Sequence, residues 1–449
     1  MPVCDARCRL RIVIAACLAA TTLIAPAGVT GGQDHPVAFV GGRVLPITGP
    51  AIERGTVVVA GGKIVAVGPV AATAVPPDAE RIDATGKVIM PGLVDTHSHV
   101  GGGWGGDASS PIQPDVRILD SINVRDAGFR KCRAGGLTTL NIMPGSGHLL
   151  SGQTIYAKLR KADTIDDVLY RDADGRILGG MKMANGTNSQ KEPPFPGTRS
   201  KSAALVRQKF LKAIDYRRKL EAAGDDAAKR PDRDLEMEGL LDVLDGRTIV
   251  HHHAHRADDL LTVVRLREEF GFKVVLHHAS EAWKVAGALA KAQTPCSVIV
   301  VDAPGGKIEA MDMSLATGAI LEQAGVPCAF HTDDPVTDSR LFLRTAALAV
   351  RAGMSRDKAL EALTLAGAKM LELDRRIGSL EPGKDADLIL LSGDPLALRT
   401  KVLQTWVEGR KVFDREDPDD RLFAVGGYGA SRDQTAHACC TDNRMAETR

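Results

Sequence analysis

The chain of 449 residues lacks the marks of several protein classes. Its 57 basic and 56 acidic residues nearly cancel and form no long run of one sign, which argues against nucleic acid or a membrane surface as a partner. No apolar run is long enough to span a bilayer comfortably, so we expect no stable membrane insertion of the mature chain. These absences favour a soluble enzyme that acts on a small molecule; a homo-oligomer is compatible with them.

Cysteine is also scarce. Removal of the first 27 residues would leave an odd and unpatterned set of cysteines, which excludes a disulfide framework even in an oxidising compartment. This set comprises Cys132, Cys296, Cys328, Cys439 and Cys440.

The first 27 residues have the pattern of a secretory signal peptide. Three arginines precede an apolar run over residues 12–24, and Ala25-Pro-Ala27 offers a small-x-small cleavage site. We therefore expect an exported protein, periplasmic or secreted. Cys17 leaves lipidation open as an alternative.

Turn and strand signals divide the rest of the chain. Residues 28–90 and 375–415 are rich in β-branched runs, with hairpins expected at Gly41-Gly42 and Gly61-Gly62, and predict one small β-sandwich built from both chain ends. Residues 91–374 alternate apolar strand-sized runs, such as residues 137–142, with helical patterns, which predicts a (β/α)₈ TIM barrel in an α/β protein. Helices are expected over residues 202–222, 257–270 and 355–371, the last with Ser355 as its N-cap. Residues 416–449 are predicted to be a polar tail.

His97 and His99 end the first barrel strand candidate. Residues at i and i+2 leave a strand on the same face, so both imidazoles can reach one metal ion. Of the 12 histidines, ten fall between His97 and His331. All of these but His148 end a strand candidate or lie just beyond one, which is where a barrel carries its catalytic residues.

These pieces together resemble the amidohydrolase superfamily, and within it the imidazolonepropionase-like and prolidase-like secreted members, over roughly residues 36–414. The matching segments are Pro91-Gly-Leu-Val-Asp-Thr-His-Ser-His99, Met181-Lys-Met-Ala-Asn-Gly186, His253-Ala-His-Arg-Ala-Asp258, His331-Thr-Asp-Asp334 and Ile377-Gly-Ser-Leu-Glu-Pro-Gly-Lys-Asp-Ala-Asp-Leu388.

The resemblance implies a hydrolase with one or two divalent metal ions, for which zinc suits the ligands and manganese, iron or cobalt are alternatives. Its implied ligands are His97, His99, Lys182 as a carbamate, His253, His278 and Asp333. His252, His255 and His277 remain alternatives for the strand 5 and strand 6 ligands, because strand parity excludes few of them. His251, His252 and His277 would otherwise be packing or hydrogen-bonding residues.

Asp333 is the predicted proton shuttle, since a carboxylate beside a metal-activated water can accept its proton and return one to the leaving nitrogen. Parity along the strand puts His331 and Asp333 on one face and Asp334 on the other.

Three further residues are candidates for substrate contacts. His148 could donate to the substrate carbonyl, and Arg256 and Arg340 could each clamp a substrate carboxylate or serve as a structural ion-pair partner. The sequence thus predicts hydrolysis of a C–N bond in a small amide, cyclic amide or dipeptide. A heterocycle deaminase and a metal-binding protein without activity are the alternatives.

Overall fold

The computed structural model describes residues 35–102, 106–300, 307–427 and 429–430. The predicted signal peptide, Cys17, and Cys439 with Cys440 lie outside these residues. Within the part of the chain that is described, no helix has the length and apolar character needed to cross a membrane.

Seventeen strands are described, and they fall into three sheets. They are β1 (Val37–Val44), β2 (Ile52–Ala60), β3 (Lys63–Pro69), β4 (Glu80–Asp83), β5 (Val88–Pro91), β6 (Leu93–Ser98), β7 (Leu137–Ile142), β8 (Leu150–Gln153), β9 (Ile155–Lys158), β10 (Gly180–Ala184), β11 (Ile249–Ala254), β12 (Val274–His278), β13 (Cys296–Ile299), β14 (Cys328–His331), β15 (Leu388–Leu391), β16 (Val402–Val407) and β17 (Arg410–Asp414).

Ten α-helices are described alongside these strands. They are α1 (Ala127–Ala134), α2 (Arg199–Ala223), α3 (Leu235–Leu244), α4 (Ala257–Phe270), α5 (Ala286–Lys291), α6 (Thr317–Ala324), α7 (Phe342–Arg351), α8 (Arg356–Ala362), α9 (Leu365–Met370) and α10 (Pro418–Val425).

The helices show where local sequence signals succeed and fail. The predicted helix over 257–270 is α4, and Ser355 caps α8 by accepting a hydrogen bond from the Lys358 amide, as expected. The helix predicted over 355–371 is instead two helices, because Thr364 has a non-helical backbone conformation. Asp417 caps α10 with Pro418 at its start, so a helix begins inside the segment predicted to be a polar tail.

Both chain ends contribute to one eight-stranded sheet of order β17-β16-β15-β5-β1-β2-β3, with β4 paired to β1. The β-sandwich expected from the sequence is not confirmed. Gly61-Gly62 forms the expected hairpin turn between β2 and β3. The expectation at Gly41-Gly42 was wrong, since β1 continues through these glycines and its pairing with β2 shifts register there, as at a β-bulge.

The remaining strands build a mixed α/β domain. Strands β10 to β14 are parallel neighbours, and β6 and β7 pair in parallel. Strands β8 and β9 were not predicted from the sequence. Strand β8 pairs antiparallel with β10, and β9 pairs antiparallel with β7. A parallel bridge between Ser98 and Asp334 joins the ends of β6 and β14. The two smaller sheets are thereby connected on both sides.

Parallel pairing decides where the polar residues meet. Four histidines lie at the carboxyl ends of strands: His99 just past β6, His253 near the end of β11, His278 at the end of β12 and His331 at the end of β14. Because neighbouring parallel strands end at the same edge, these imidazoles converge there. All four are buried, although a sheet edge would ordinarily expose them to water.

Candidate active site

Three ligand-type atoms form a compact triangle at this edge. The Nε2 atoms of His97 and His99 are 3.3 Å apart, and Asp333 Oδ1 lies 3.4 Å from the first and 3.0 Å from the second. Ligands of a tetrahedral ion with bonds of about 2.0–2.1 Å are themselves about 3.3 Å apart. The triangle therefore has the dimensions of one face of a metal coordination sphere.

The orientation of His99 supports the same interpretation. Its Nδ1 lies 2.8 Å from the carbonyl oxygen of Met143, to which it can donate only if it carries the ring proton. The Nε2 lone pair then points toward His97 and Asp333. A ring nitrogen held in this way by a backbone carbonyl is the usual arrangement of a metal-binding histidine.

Asp333 reaches the triangle through an unusual backbone conformation. Strand β14 ends at His331, so strand parity does not extend to Asp333; instead, Asp333 adopts a left-handed conformation with φ 52° and its amide donates to the carbonyl oxygen of His97. The predicted position is reached, but for a different reason. Asp334 turns away and accepts hydrogen bonds from the amide and hydroxyl of Ser339.

Lys182 completes this group. Its Nζ is 3.2 Å from His97 Nε2 and 3.1 Å from Met143 Sδ, and the side chain is fully buried. Burial lowers the pKa of Lys182 to about 7, although the charge of Asp333 opposes the shift. The amine is therefore substantially neutral near pH 7, which is the form that can add carbon dioxide.

The histidines of β11 and β12 divide into two groups. His253 and His278 have ring centroids 4.3 Å apart, and His278 Nδ1 lies 3.2 Å from His331 Nε2 and 3.8 Å from Asp333 Oδ2. His251 instead contacts Tyr156 and has its Nδ1 2.9 Å from His277 Nε2.

Two of the alternative ligands have contacts that bear on their role. His252 has its Nδ1 3.0 Å from the His253 carbonyl oxygen. The ring of His277 is 5.0 Å from that of His97, and with His97 and His331 it forms a further set of closely spaced ligand atoms. His277 thus remains an alternative to His278.

Burial sets the protonation states of the site. It lowers the pKa of His251, His252 and His331 to about 3, and it also depresses the pKa of His97, His253 and His278. Burial would raise the pKa of Asp333, but its close contact with His99 and the other groups around it together outweigh burial, and the pKa is lowered. An ionised carboxylate among neutral imidazoles is the donor set that a divalent cation requires.

Several buried nitrogens are left without partners. Among the described residues, no hydrogen-bond partner is found for His97 Nδ1, His253 Nδ1 or His278 Nε2. Buried polar atoms are normally satisfied, so such a concentration at one site is consistent with a missing cation or water. The residues present therefore fit a divalent metal ion.

The substrate-contact candidates lie in different surroundings. His148 is buried, its ring 5.5 Å from that of Phe195, and burial lowers its pKa. Arg256 forms a bidentate pair with Asp258 and Arg340 one with Asp338, each with a carboxylate two residues away in the chain. Both guanidinium groups would have to leave a carboxylate in order to bind one from a substrate.

Residues that support the site were not predicted from the sequence. Asp95 is fully buried, accepts from the amides of His97 and Thr332 and from the Thr332 hydroxyl, and so ties β6 to the end of β14. Asp95 belongs to the same sequence motif as His97. A carboxylate in that apolar strand was the signal that could have identified it. Lys307 contacts His253, and Glu309 lies close to His253 and His255, but neither residue follows a strand or motif pattern.

Comparison with known proteins agrees with this chemistry. The model of the Amidohydrolase family matches residues 159–413. An amidohydrolase, tasK, from Hapsidospora irregularis is 30% identical over 394 residues, which span 81% of this chain and 39% of that protein. An imidazolonepropionase from Erwinia tasmaniensis is 26% identical over 404 residues, 82% of this chain and 93% of the relative.

A solved structure is similar to most of the chain. The crystal structure of an amidohydrolase from Thermotoga maritima has 36% sequence identity and a TM-score of 0.79, covering 84% of this chain and 100% of that one. Since the family model also spans more than half of the sequence, the chain belongs to the amidohydrolase family, whose members are metal-dependent hydrolases acting on carbon–nitrogen bonds.

Proposed function

We propose that this protein hydrolyses a C–N bond in a small amide, cyclic amide or dipeptide. The observation that carries the proposal is the triangle of His97, His99 and Asp333, with edges of 3.0–3.4 Å and Lys182 3.2 Å from His97. A buried site of this composition has little use as packing, because its unpartnered nitrogens cost stability.

Two divalent ions, most suitably zinc, would be held there. His97, His99 and Asp333 would hold the inner ion, His253 and His278 the outer ion, and Lys182 as a carbamate would bridge them. When bound, these ions polarise the scissile carbonyl and lower the pKa of the attacking water.

Asp333 moves the proton in this proposal. Its ionised carboxylate accepts a proton from the attacking water and donates it to the leaving nitrogen. The left-handed backbone places the carboxylate 3.0 Å from His99 Nε2, at the corner of the triangle where the proton is moved. His148 is proposed as a donor to the substrate carbonyl, while Arg256 and Arg340 stay candidate carboxylate contacts.

The proposed architecture is a closed (β/α)₈ barrel over residues 91–374, with the eight-stranded sheet as the accessory domain over 28–90 and 375–415. The connections of β8–β9 to β7 and β10, and the bridge between Ser98 and Asp334, support closure. With the segment of β8 and β9 counted as one strand, the barrel has eight.

The deciding experiment combines metal analysis with substrate screening. The purified protein, reconstituted with Zn²⁺, is assayed on a panel of dipeptides, linear and cyclic amides, lactones and aminated heterocycles. Hydrolysis of an amide that a chelator abolishes and Zn²⁺ restores supports the proposal. Turnover of heterocycles alone would indicate the deaminase, and tight metal binding with no turnover would indicate the inactive protein.

Export is proposed separately, from residues 1–27 alone. Amino-terminal sequencing of the protein from its native host is expected to begin near Gly28. An intact Met1 would contradict export, and a lipid-modified Cys17 would replace cleavage at Ala27.

A further inference from the structure

A second group of ligand-type side chains lies beside the triangle. His253, His255 and Glu309, which we call the rim cluster, each offer one ligand atom, and these three atoms lie within 4.8 Å of one another. All three residues are buried. The rim cluster shares no residue with the triangle of His97, His99 and Asp333.

Hydrogen bonds orient the members of the rim cluster. His255 Nδ1 is 2.7 Å from the Ser280 hydroxyl, which leaves Nε2 as the other ring nitrogen available to a ligand. Glu309 Oε2 accepts from the Thr187 amide at 2.8 Å and from Arg199 at 3.3 Å. These contacts hold the carboxylate from behind, so its Oε1 is the oxygen directed elsewhere.

A positive charge already lies against this group. The ammonium of Lys307 is 2.7 Å from Glu309 Oε1 and 3.3 Å from His253 Nε2. An ammonium donates but cannot coordinate, and an unprotonated imidazole nitrogen next to it behaves as an acceptor. The carboxylate and imidazole donors of the rim cluster therefore attract a cation to this position. The Lys307 ammonium occupies it as a cation that belongs to the chain itself.

We propose that the rim cluster is an additional divalent-cation site in which the bound ion and the Lys307 ammonium exclude each other. A soft or borderline cation such as Zn²⁺ suits two imidazoles and one carboxylate. Binding displaces Lys307, because two positive charges cannot share a space a few ångströms across. The affinity is weaker than at a site that lacks an internal competitor.

The rim cluster also has a functional consequence, which rests on the proposed function. His253 is the proposed ligand of the outer catalytic ion, and a cation in the rim cluster withdraws that imidazole. Excess Zn²⁺ is then an inhibitor, while low Zn²⁺ is an activator. Existence of the site itself does not depend on the catalytic assignment.

The test measures Zn²⁺ binding to the full chain by equilibrium dialysis from nanomolar to high micromolar free Zn²⁺, using three variants. Glu309→Gln removes the anionic ligand and Lys307→Met removes the competing cation at similar volume. Asp312→Asn is the matched control, since Asp312 is an exposed carboxylate of the same loop paired with Lys284. Circular dichroism and thermal unfolding check that each variant folds.

The two substitutions are expected to act in opposite directions on the last-bound ion. Glu309→Gln weakens its binding by at least about tenfold, the scale of effects seen when groups around a metal are removed. Lys307→Met tightens it by about tenfold, because one nearby positive charge is gone. Asp312→Asn leaves it unchanged, and the tightly bound ions are the same in all four proteins.

Three results would overturn the proposal. They are equal binding curves for all four proteins, a shift of both variants in the same direction, and loss of a tightly bound ion in folded Glu309→Gln, which would make Glu309 part of the catalytic centre. If Glu309→Gln does not fold, the Lys307→Met curve decides alone. Loss of the tight ions from the wild type with the weak site retained would instead contradict the proposed function.

Discussion

Lys158 and Lys182 are both completely buried, yet their surroundings shift their pKa in opposite directions. Burial disfavours the charged form of each. Around Lys158, the carboxylates of Asp385, Asp387 and Glu408 outweigh burial and raise the pKa, whereas Lys182 has only Asp333 to oppose burial and its pKa falls to about 7. Burial alone therefore does not identify a functional lysine.

The partners of the two lysines belong to different parts of the fold. Lys158 ends β9, and its partners Asp385, Asp387 and Glu408 come from the loops before β15 and after β16, so this ion-pair cluster joins the eight-stranded sheet to the remaining strands. Arg160 adds a bidentate pair with Glu408. The charges around Lys158 compensate one another, so this cluster stabilises the fold. The group of side chains around Lys182 leaves room for an external cation.

The largest expected effect is on turnover in the Lys182 region. Asp333→Asn removes the proton shuttle and should lower kcat by about 10²- to 10⁴-fold on any amide hydrolysed in the panel, with a folded protein that keeps at least one metal ion. Asp334→Asn is the matched control and should stay within about tenfold per folded molecule. An inactive Asp334→Asn beside an active Asp333→Asn would refute the assignment.

The corresponding effect in the Lys158 region should be on stability. Lys158→Met leaves three carboxylates without their buried cation, and we expect the free energy of unfolding to fall by about 3–5 kcal/mol in urea titrations. The half-exposed Lys63, paired with Asp385, is the control, and Lys63→Met should cost no more than about 1 kcal/mol. If folded Lys158→Met lost metal, the Lys158 region would also support the metal site, and the contrast between a stabilising and a metal-binding region would be wrong.

Lys182→Ala should have the opposite profile, with little change in unfolding but loss of metal and turnover. Added short carboxylates should restore part of the activity, because they replace the bridging oxygen atoms of a carbamate. A crystal structure of the metal-bound protein with an unmodified amine more than about 4 Å from any ion would reject the carbamate, since coordination distances are near 2 Å.

Metal content is expected to fall by a single ion when one triangle histidine is removed. His97→Ala or His99→Ala should lose most of one of close to two divalent ions, measured by elemental analysis after reconstitution, because each removes one corner of the inner site. Full retention of metal in both variants would show that the ligands lie elsewhere.

The smallest effect is expected at Arg256. Its guanidinium is already paired with Asp258 and partly exposed, so Arg256→Ala should change KM by less than about threefold and stability by less than about 1 kcal/mol. A rise in KM of tenfold or more would mean that Arg256 leaves Asp258 to bind the substrate. Arg340 is paired with Asp338, so Arg340→Ala allows the same comparison at a second arginine.

The predicted and observed elements agree best where a local sequence pattern determines the structure. Helix α4 and strand β7 were predicted with their observed bounds, since α4 has apolar residues at helical spacing and β7 is a short run of apolar and β-branched residues. Strands β8 and β9 were missed because residues 150–158 contain Gly152 and several small polar residues, which interrupt the strand pattern. Gly41-Gly42 carried a hairpin signal that pairing within the sheet overrode.

The same limit applies to the site. His97 and His99 followed from spacing, but the position of Asp333 depends on a backbone conformation that strand alternation cannot give. An ion pair was one of the two alternatives for Arg256, but the sequence could not decide between them, because a free and a paired arginine look alike in a sequence. Lys307 and Glu309 meet His253 through folding of a loop, which no local pattern encodes.

The left-handed backbone at Asp333 also bears on how the protein would respond to laboratory evolution. Non-glycine residues at φ 52° are strained, and glycine relieves such strain. Selection for heat resistance of the metal-free protein should therefore enrich glycine at position 333 and discard the enzyme's chemistry with it. A library screened for survival on heating and then for turnover would recover two separate populations at this one codon.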